Sequence, residues 1–212
     1  METIQPSTHK VGSPAIGSII DTCLIQGLGK NDWLYAIGDI NHRALLTHMG
    51  KYQGRACAKA ILARARGTVI DDHLEWSLSI ARAENDMTPQ VLFTDPQVAS
   101  VGLTEKEAKR SGLNTYSVDS EMGIVVGAQL HTDGYVGHAR LVIDEDKDII
   151  VGATFIGPQV SELLHSATIA IVSQVPIDRL WHAVPSFPTV SEVWIHLLEN
   201  YSGKDISSSS VA

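Results

Sequence analysis

One stretch limits what this chain can build more than any other. Trp33-Leu-Tyr-Ala-Ile-Gly-Asp-Ile40 is an apolar run that stops at Gly38-Asp39. A helical pattern opens at about Thr47, with Met49, Tyr52, Ala56 and Ala60 on one stripe. The run reads as a short buried strand from Leu34 to Ile37. Strand, glycine turn, acid and helix start together suit a polar ligand. The acid accepts a hydroxyl, and the first turn of the helix offers free N–H groups to negative charge. On spacing alone, the same pattern is also compatible with a plain turn.

Length and charge narrow the rest. A chain of 212 residues fits one or two domains, and 44% hydrophobic content supplies a core. A formal charge of −8 argues against nucleic acid and anionic membrane as partners. No apolar run reaches membrane-spanning length, and the polar start lacks a signal-peptide core, so the expected location is cytoplasmic. Cys23 and Cys57 form no C-x-x-C pair and read as buried thiols in a reducing compartment. The nine histidines show no zinc-binding spacing.

In order, Ile19 to Ile25 fits a short strand, and Thr68 to Met87 a connector with some helical pattern. A second unit opens near Thr88-Pro89. Gln90 to Thr94 reads as a strand closed by Asp95-Pro96, with Val98 to Gly102 continuing it. Thr104 and Glu107 have the capping-box spacing, and Ser111-Gly112 ends the helix they open. Asn114 to Val118 is another strand. Ala139 to Ile143, the charged turn Asp144 to Lys147, and Ile149 to Ile156 form a hairpin signal. Ser161 opens an apolar helix, Pro176 fits a short helix reaching His182, and Ser191 fits the cap of a last helix. Expected boundaries are 1–87, 88–203 and a disordered tail at 204–212. The expected class is α+β, an antiparallel sheet with flanking helices.

The wording of these segments resembles one family. Tyr35-Ala-Ile-Gly-Asp39 with Leu45 to Arg55 resembles the second flavin motif of the pyridine nucleotide-disulfide oxidoreductases. Val98 to Ala108, Ile150 to Pro158 with Ser161-Glu162, and Pro188 to Glu192 resemble that family's C-terminal dimerisation domain. The resemblance runs from about residue 17 to 201. It implies a dimerisation domain preceded by a remnant of an FAD-binding domain. It also implies that Gly38 and Asp39 meet the ribityl chain of FAD, while Thr47 and His48 face the flavin pyrimidine. A homodimer is the partner it implies.

In the disulfide-reducing members the last motif reads His-Pro-Thr-x-Ser-Glu, and its His exchanges protons with the dithiol. Here Phe187 stands in the His position, before Pro188. A phenyl ring transfers no proton, so that disulfide chemistry is not supported. Phe187 instead offers a flat apolar wall for a quinone-like or aromatic acceptor, or an interface contact. Glu192 and His182 are the remaining catalytic candidates. Each also reads as a charge placed favourably at a helix end.

The sequence contains no G-x-G-x-x-G turn following a strand, and no C-x-x-x-x-C redox pair. NAD(P)H would therefore act only through a domain outside this sequence. Two functions follow. One is the C-terminal half of an FAD-dependent NAD(P)H oxidoreductase with a non-disulfide acceptor, completed by a separate FAD- and NAD(P)-binding half. The other is a cofactor-free dimeric scaffold that binds a small molecule or acts as a cyclase, isomerase or lyase.

Overall fold

The computed structural model describes residues 35–68 and 87–208. Leu34, the Ile19–Ile25 strand, Cys23, most of the 68–87 connector and the end of the tail lie outside the described residues. The chain divides into two compact units, Met1–Thr88 and Pro89–Ala212.

In the first unit a 3-10 turn, Gly38–Asn41, precedes helix α1, Thr47–Ala65. The expected stripe is largely present: Met49, Ala56, Cys57 and Ala60 are buried. The polar surprise is Gln53, which is fully buried, whereas neighbouring Tyr52 is only half-buried. The described part of the expected strand is different from its reading. Tyr35 is a lone bridge residue, and Ile37 is 43% exposed. The backbone bond at Gly38 goes to a helix side chain instead of a strand ladder.

The second unit is built on a five-stranded antiparallel sheet in the order β1-β2-β5-β4-β3. Its strands are β1 Gln90–Leu92, β2 Gln97–Gly102, β3 Thr115–Glu121, β4 His138–Asp144 and β5 Ile149–Gly157. Val98 to Gly102 does not continue the first strand. The chain reverses at Asp95-Pro96, whose peptide is cis, and β2 returns antiparallel to β1. The expected β4–β5 hairpin forms, with Asp144 Oδ1 accepting the Asp146 N–H at 3.1 Å across its turn.

Alternation along the strands separates two faces. Ala99, Phe155, Ala139 and Ser120 lie side by side on one, as do Val101, Ala153, Leu141 and Val118. All eight are buried. Helix α4, Leu164–Val172, packs over β2 and β5, and helix α6, Val193–Ser208, over β3 and β4. Trp194 of α6 meets Phe155 with ring centroids 6.2 Å apart. Burying such side chains stabilises the unit by roughly 1.5–3 kcal/mol each.

The opposite face carries Val98, Ile156, His138 and Glu121 in one row, then Ser100, Thr154, Arg140 and Asp119. Helix α2, Glu105–Arg110, lies against β3. Its capping box is formed: the Glu107 N–H donates to Thr104 Oγ1 at 3.3 Å, and the Thr104 N–H donates to Glu107 Oε2 at 2.9 Å.

Three helix starts differ from the sequence reading. A 3-10 turn, Val160–Leu163, precedes α4, so Ser161 does not open an α-helix. Helix α5 is only Ile177–Leu180, with Pro176 at its N-cap. The last helix is led in by a 3-10 turn, Val190–Glu192, and Ser191 is inside that turn instead of capping α6. The turn lets the chain pass from extended Thr189 into α6 without a side-chain cap. A further helix, α3, Val126–His131, was not expected at all. Helix α6 runs on to Ser208, into the expected tail.

Candidate functional site

In the first unit the candidate site is the Gly38 turn. Gly38 has φ +74, a conformation L side chains rarely adopt. Its N–H donates to Gln53 Oε1 at 2.6 Å, and Asn41 Nδ2 donates to the same oxygen at 2.9 Å. The buried glutamine thus fixes the turn against α1. The helix side comes close as well: a Cβ on Gly50 would sit 3.4 Å from the Gly38 Cα, at van der Waals contact. This close approach brings the turn beside the first turn of α1.

Asp39 is exposed, and its carboxylate has no hydrogen bond or ion pair among the described residues. Thr47 and His48 are exposed at the start of α1. No side chain caps that start, and its first turn holds no acid. The carboxylate and the helix start, whose first N–H groups no side chain caps, lie within the same unit. At the far end of α1, Arg64 donates to the Tyr35 hydroxyl at 2.5 Å and stacks over its ring.

In the second unit, taken by itself, the candidate site is the Trp181–Glu192 segment. Phe187 is 73% exposed, Val184 79% and Trp181 41%. The Phe187-Pro188 peptide is cis. His182 is exposed, and its ring has no partner among the described residues. Glu192 Oε2 is buried without a hydrogen bond, as is Trp194 Nε1. No hydrogen bond joins His182 to Glu192. The segment is braced by α3. A Cβ on Gly127 would fall 2.1 Å from the Thr189 carbonyl carbon, so the helix and the turn pack backbone to backbone.

Gln53 and Gly127, each of which packs against the candidate segment of its own unit, were missed in the sequence. The only available signal for Gln53 was a polar residue beside an apolar helical stripe. Among the described residues, no three His, Cys, Asp or Glu side chains converge as a metal site. No helix there is long and apolar enough to cross a membrane.

A five-stranded antiparallel sheet with helices on its buried face, ending in a Pro-Thr-x-Ser-Glu turn, defines a flavoprotein pairing module. The chain belongs to the pyridine nucleotide-disulphide oxidoreductases: the model of their dimerisation domain matches residues 88–198. It is 30% identical over 161 residues to the dihydrolipoyl dehydrogenase of Chlamydia muridarum, covering 76% of this chain and 31% of that protein. It is 31% identical over 162 residues to the mitochondrial dihydrolipoyl dehydrogenase 1 of Arabidopsis thaliana, covering 75% and 28%. The fold matches the HOCl-induced flavoprotein disulfide reductase of Escherichia coli with TM-score 0.66 at 19% identity, covering 80% of this chain and 36% of that one. The chain thus spans about a third of the length of the curated relatives it matches, 31% and 32% for the first two.

Proposed function

We propose that this chain is the C-terminal half of an FAD-dependent NAD(P)H oxidoreductase that works as a homodimer on a non-disulfide acceptor. A separate FAD- and NAD(P)-binding half completes it. The single observation carrying the acceptor class is Phe187. It occupies the motif position of a proton-transferring histidine, and it is an exposed ring on the turn before Pro188. A phenyl ring can neither donate nor accept the dithiol proton, but it can stack on a planar acceptor such as a quinone.

The residues of the first unit fit part of a flavin cradle. The free carboxylate of Asp39 accepts a ribityl hydroxyl, and Gly38 leaves room for close approach. The uncapped start of α1 at Thr47 and His48 stabilises negative charge on the pyrimidine. When bound, FAD would supply hydride chemistry, in which the hydride equivalent given up by NAD(P)H and one further proton together account for two-electron reduction of the acceptor. Glu192 and His182 are the candidates in the second unit to hold that proton, and neither side chain has a hydrogen-bond or ion-pair partner among the described residues.

Supporting the homodimer, the segments 122–131 and 181–189 carry no Asp, Glu, Lys or Arg. Between them they expose Ile124, Leu130, Val184 and Phe187. Copies that each carry −8 repel least through such a face.

The test is the absorption spectrum of the purified chain in the flavin bands, with added FAD, alone and mixed with an N-terminal FAD- and NAD(P)-binding half, alongside its mass in solution. A yellow dimer supports the proposal. A colourless, well-behaved dimer that binds a small molecule favours the cofactor-free scaffold, and a monomer under all conditions removes both. In a preparation that oxidises NAD(P)H, quinone is reduced and a disulfide substrate is not.

A further inference from the structure

The excursion from Met122 to Gly137 leaves β3 and returns to β4 through one neck. Glu121, the last residue of β3, and His138, the first of β4, face each other there. His138 Nδ1 lies 3.1 Å from Glu121 Oε1, and Nε2 lies 2.8 Å from Asp119 Oδ1. A neutral imidazole has one N–H, so it would turn a lone pair on one of these carboxylates. Only the imidazolium donates to both. Asp119 is held independently: Arg140 donates Nε to Oδ1 at 2.7 Å and Nη2 to Oδ2 at 2.9 Å. Glu121 has no other side-chain partner among the described residues. The neutral ring keeps its one N–H on Nε2 toward the closer Asp119, so the second proton, on Nδ1, decides whether Glu121 is tied to the neck.

What hangs from the neck is α3, the helix packed backbone to backbone on Thr189 through Gly127. Two other bonds close the excursion at any pH. The Met122 N–H donates to the Gly137 carbonyl at 2.8 Å, and the Tyr135 hydroxyl donates to the Pro158 carbonyl at 2.8 Å. We propose that His138 is a proton-operated clamp on this neck, so that acidification tightens α3 against the Pro188–Glu192 turn and rising pH loosens it.

The surrounding charges leave this balance to the two carboxylates. Helix α2 brings Glu105 and Lys109, which pair with each other, and Glu105 adds attraction on Arg140. Beside His138 on β5 is Ile156, which carries no charge. Helix α6 places Asn200 on the Asp119 carbonyl at 2.8 Å, while its His196 and Glu199 face each other at 3.5 Å. Within the excursion, His131 meets the Tyr135 ring edge-on. Partial burial lowers the His138 pKa, but Glu121 and Asp119 outweigh it, and the net direction is upward. A group raised on folding contributes stability that is complete below the unfolded histidine value, roughly 6.5, and lost as pH rises through the folded value.

The clamp rests on the neck geometry alone and stands whether or not the chain works with flavin. The test uses the full chain, with imidazole NMR titration of His138 and hydrogen exchange of Val126–His131 corrected for intrinsic rate. We expect His138 to hold both ring protons to higher pH than in Glu121→Gln. We expect α3 to be about two-fold better protected near pH 6 than near pH 8. Glu121→Gln and His138→Gln should each abolish that ratio. Equal protection at both pH values in the unaltered chain, or a His138 midpoint unmoved by Glu121→Gln, would overturn the clamp.

Discussion

Gln53 does more for the first site than the acid that draws attention in the sequence. Its buried oxygen takes the Gly38 N–H and the Asn41 side chain together, so the turn presenting Asp39 is held from behind. Replacing it with leucine keeps the volume roughly constant and leaves the Gly38 N–H without its acceptor. Gln53→Leu should lower stability by about 1–3 kcal/mol and speed exchange at the Gly38 amide. Thermal unfolding and exchange measurements check this; an unchanged Gly38 amide would mean the turn is shaped by something else. Asp39→Asn removes the charge of an exposed carboxylate with no partner among the described residues and should leave the unfolding free energy within about 0.5 kcal/mol of the original. Any effect of that change should be on flavin binding alone.

Among the elements, α3 has the most consequence for its size. It is a two-turn helix with no side-chain cap, yet it sets where the Pro188–Glu192 turn lies. The contact tolerates no side chain at Gly127, where a Cβ would overlap Thr189 backbone at 2.1–2.4 Å. Gly127→Ala should therefore destabilise by about 1–3 kcal/mol, since backbone must shift to relieve the overlap. Gly203, in α6, has open space around its would-be Cβ. Gly203→Ala should instead stabilise by about 0.5–1 kcal/mol through helix propensity. Opposite signs for one substitution on two helices, read by chemical denaturation, would separate close packing from propensity. Equal signs would remove the bracing role of α3.

For the whole molecule the balance is between a net charge of −8 and a face without formal charge. Exposed Leu130, at 70%, and Val184, at 79%, lie on the charge-free segments. Apolar patches of this kind mark association surfaces, and interface centres are depleted in charge. Leu130→Asp should weaken self-association about ten-fold or more, about 1.4 kcal/mol, in sedimentation experiments. Unaltered association would place the interface elsewhere on the second unit.

The sequence was most informative where local chemistry settles structure. Alternation in Ala139–Ile143 and Ile149–Ile156 encoded a hairpin, and the Thr104–Glu107 spacing encoded a cap. The Gly38-Asp39 stop and the helix from Thr47 were legible for the same reason: period and turn chemistry act over a few residues. Family motifs then carried the fold of residues 88–198. Long-range partnership was not legible. The return of β2 onto β1, the buried role of Gln53, the Gly127–Thr189 approach and the Glu121–His138 neck join residues from 6 to 62 positions apart in sequence. Such pairs are fixed by which surfaces meet when the chain closes on itself, and no local propensity records that. The sequence by itself thus determined the β4–β5 hairpin, the Thr104 cap, the Gly38 stop, the helix from Thr47 and the replacement of the motif histidine by Phe187. Only the tertiary structure decided which polar groups are bonded, which are left free, and which backbone segments touch.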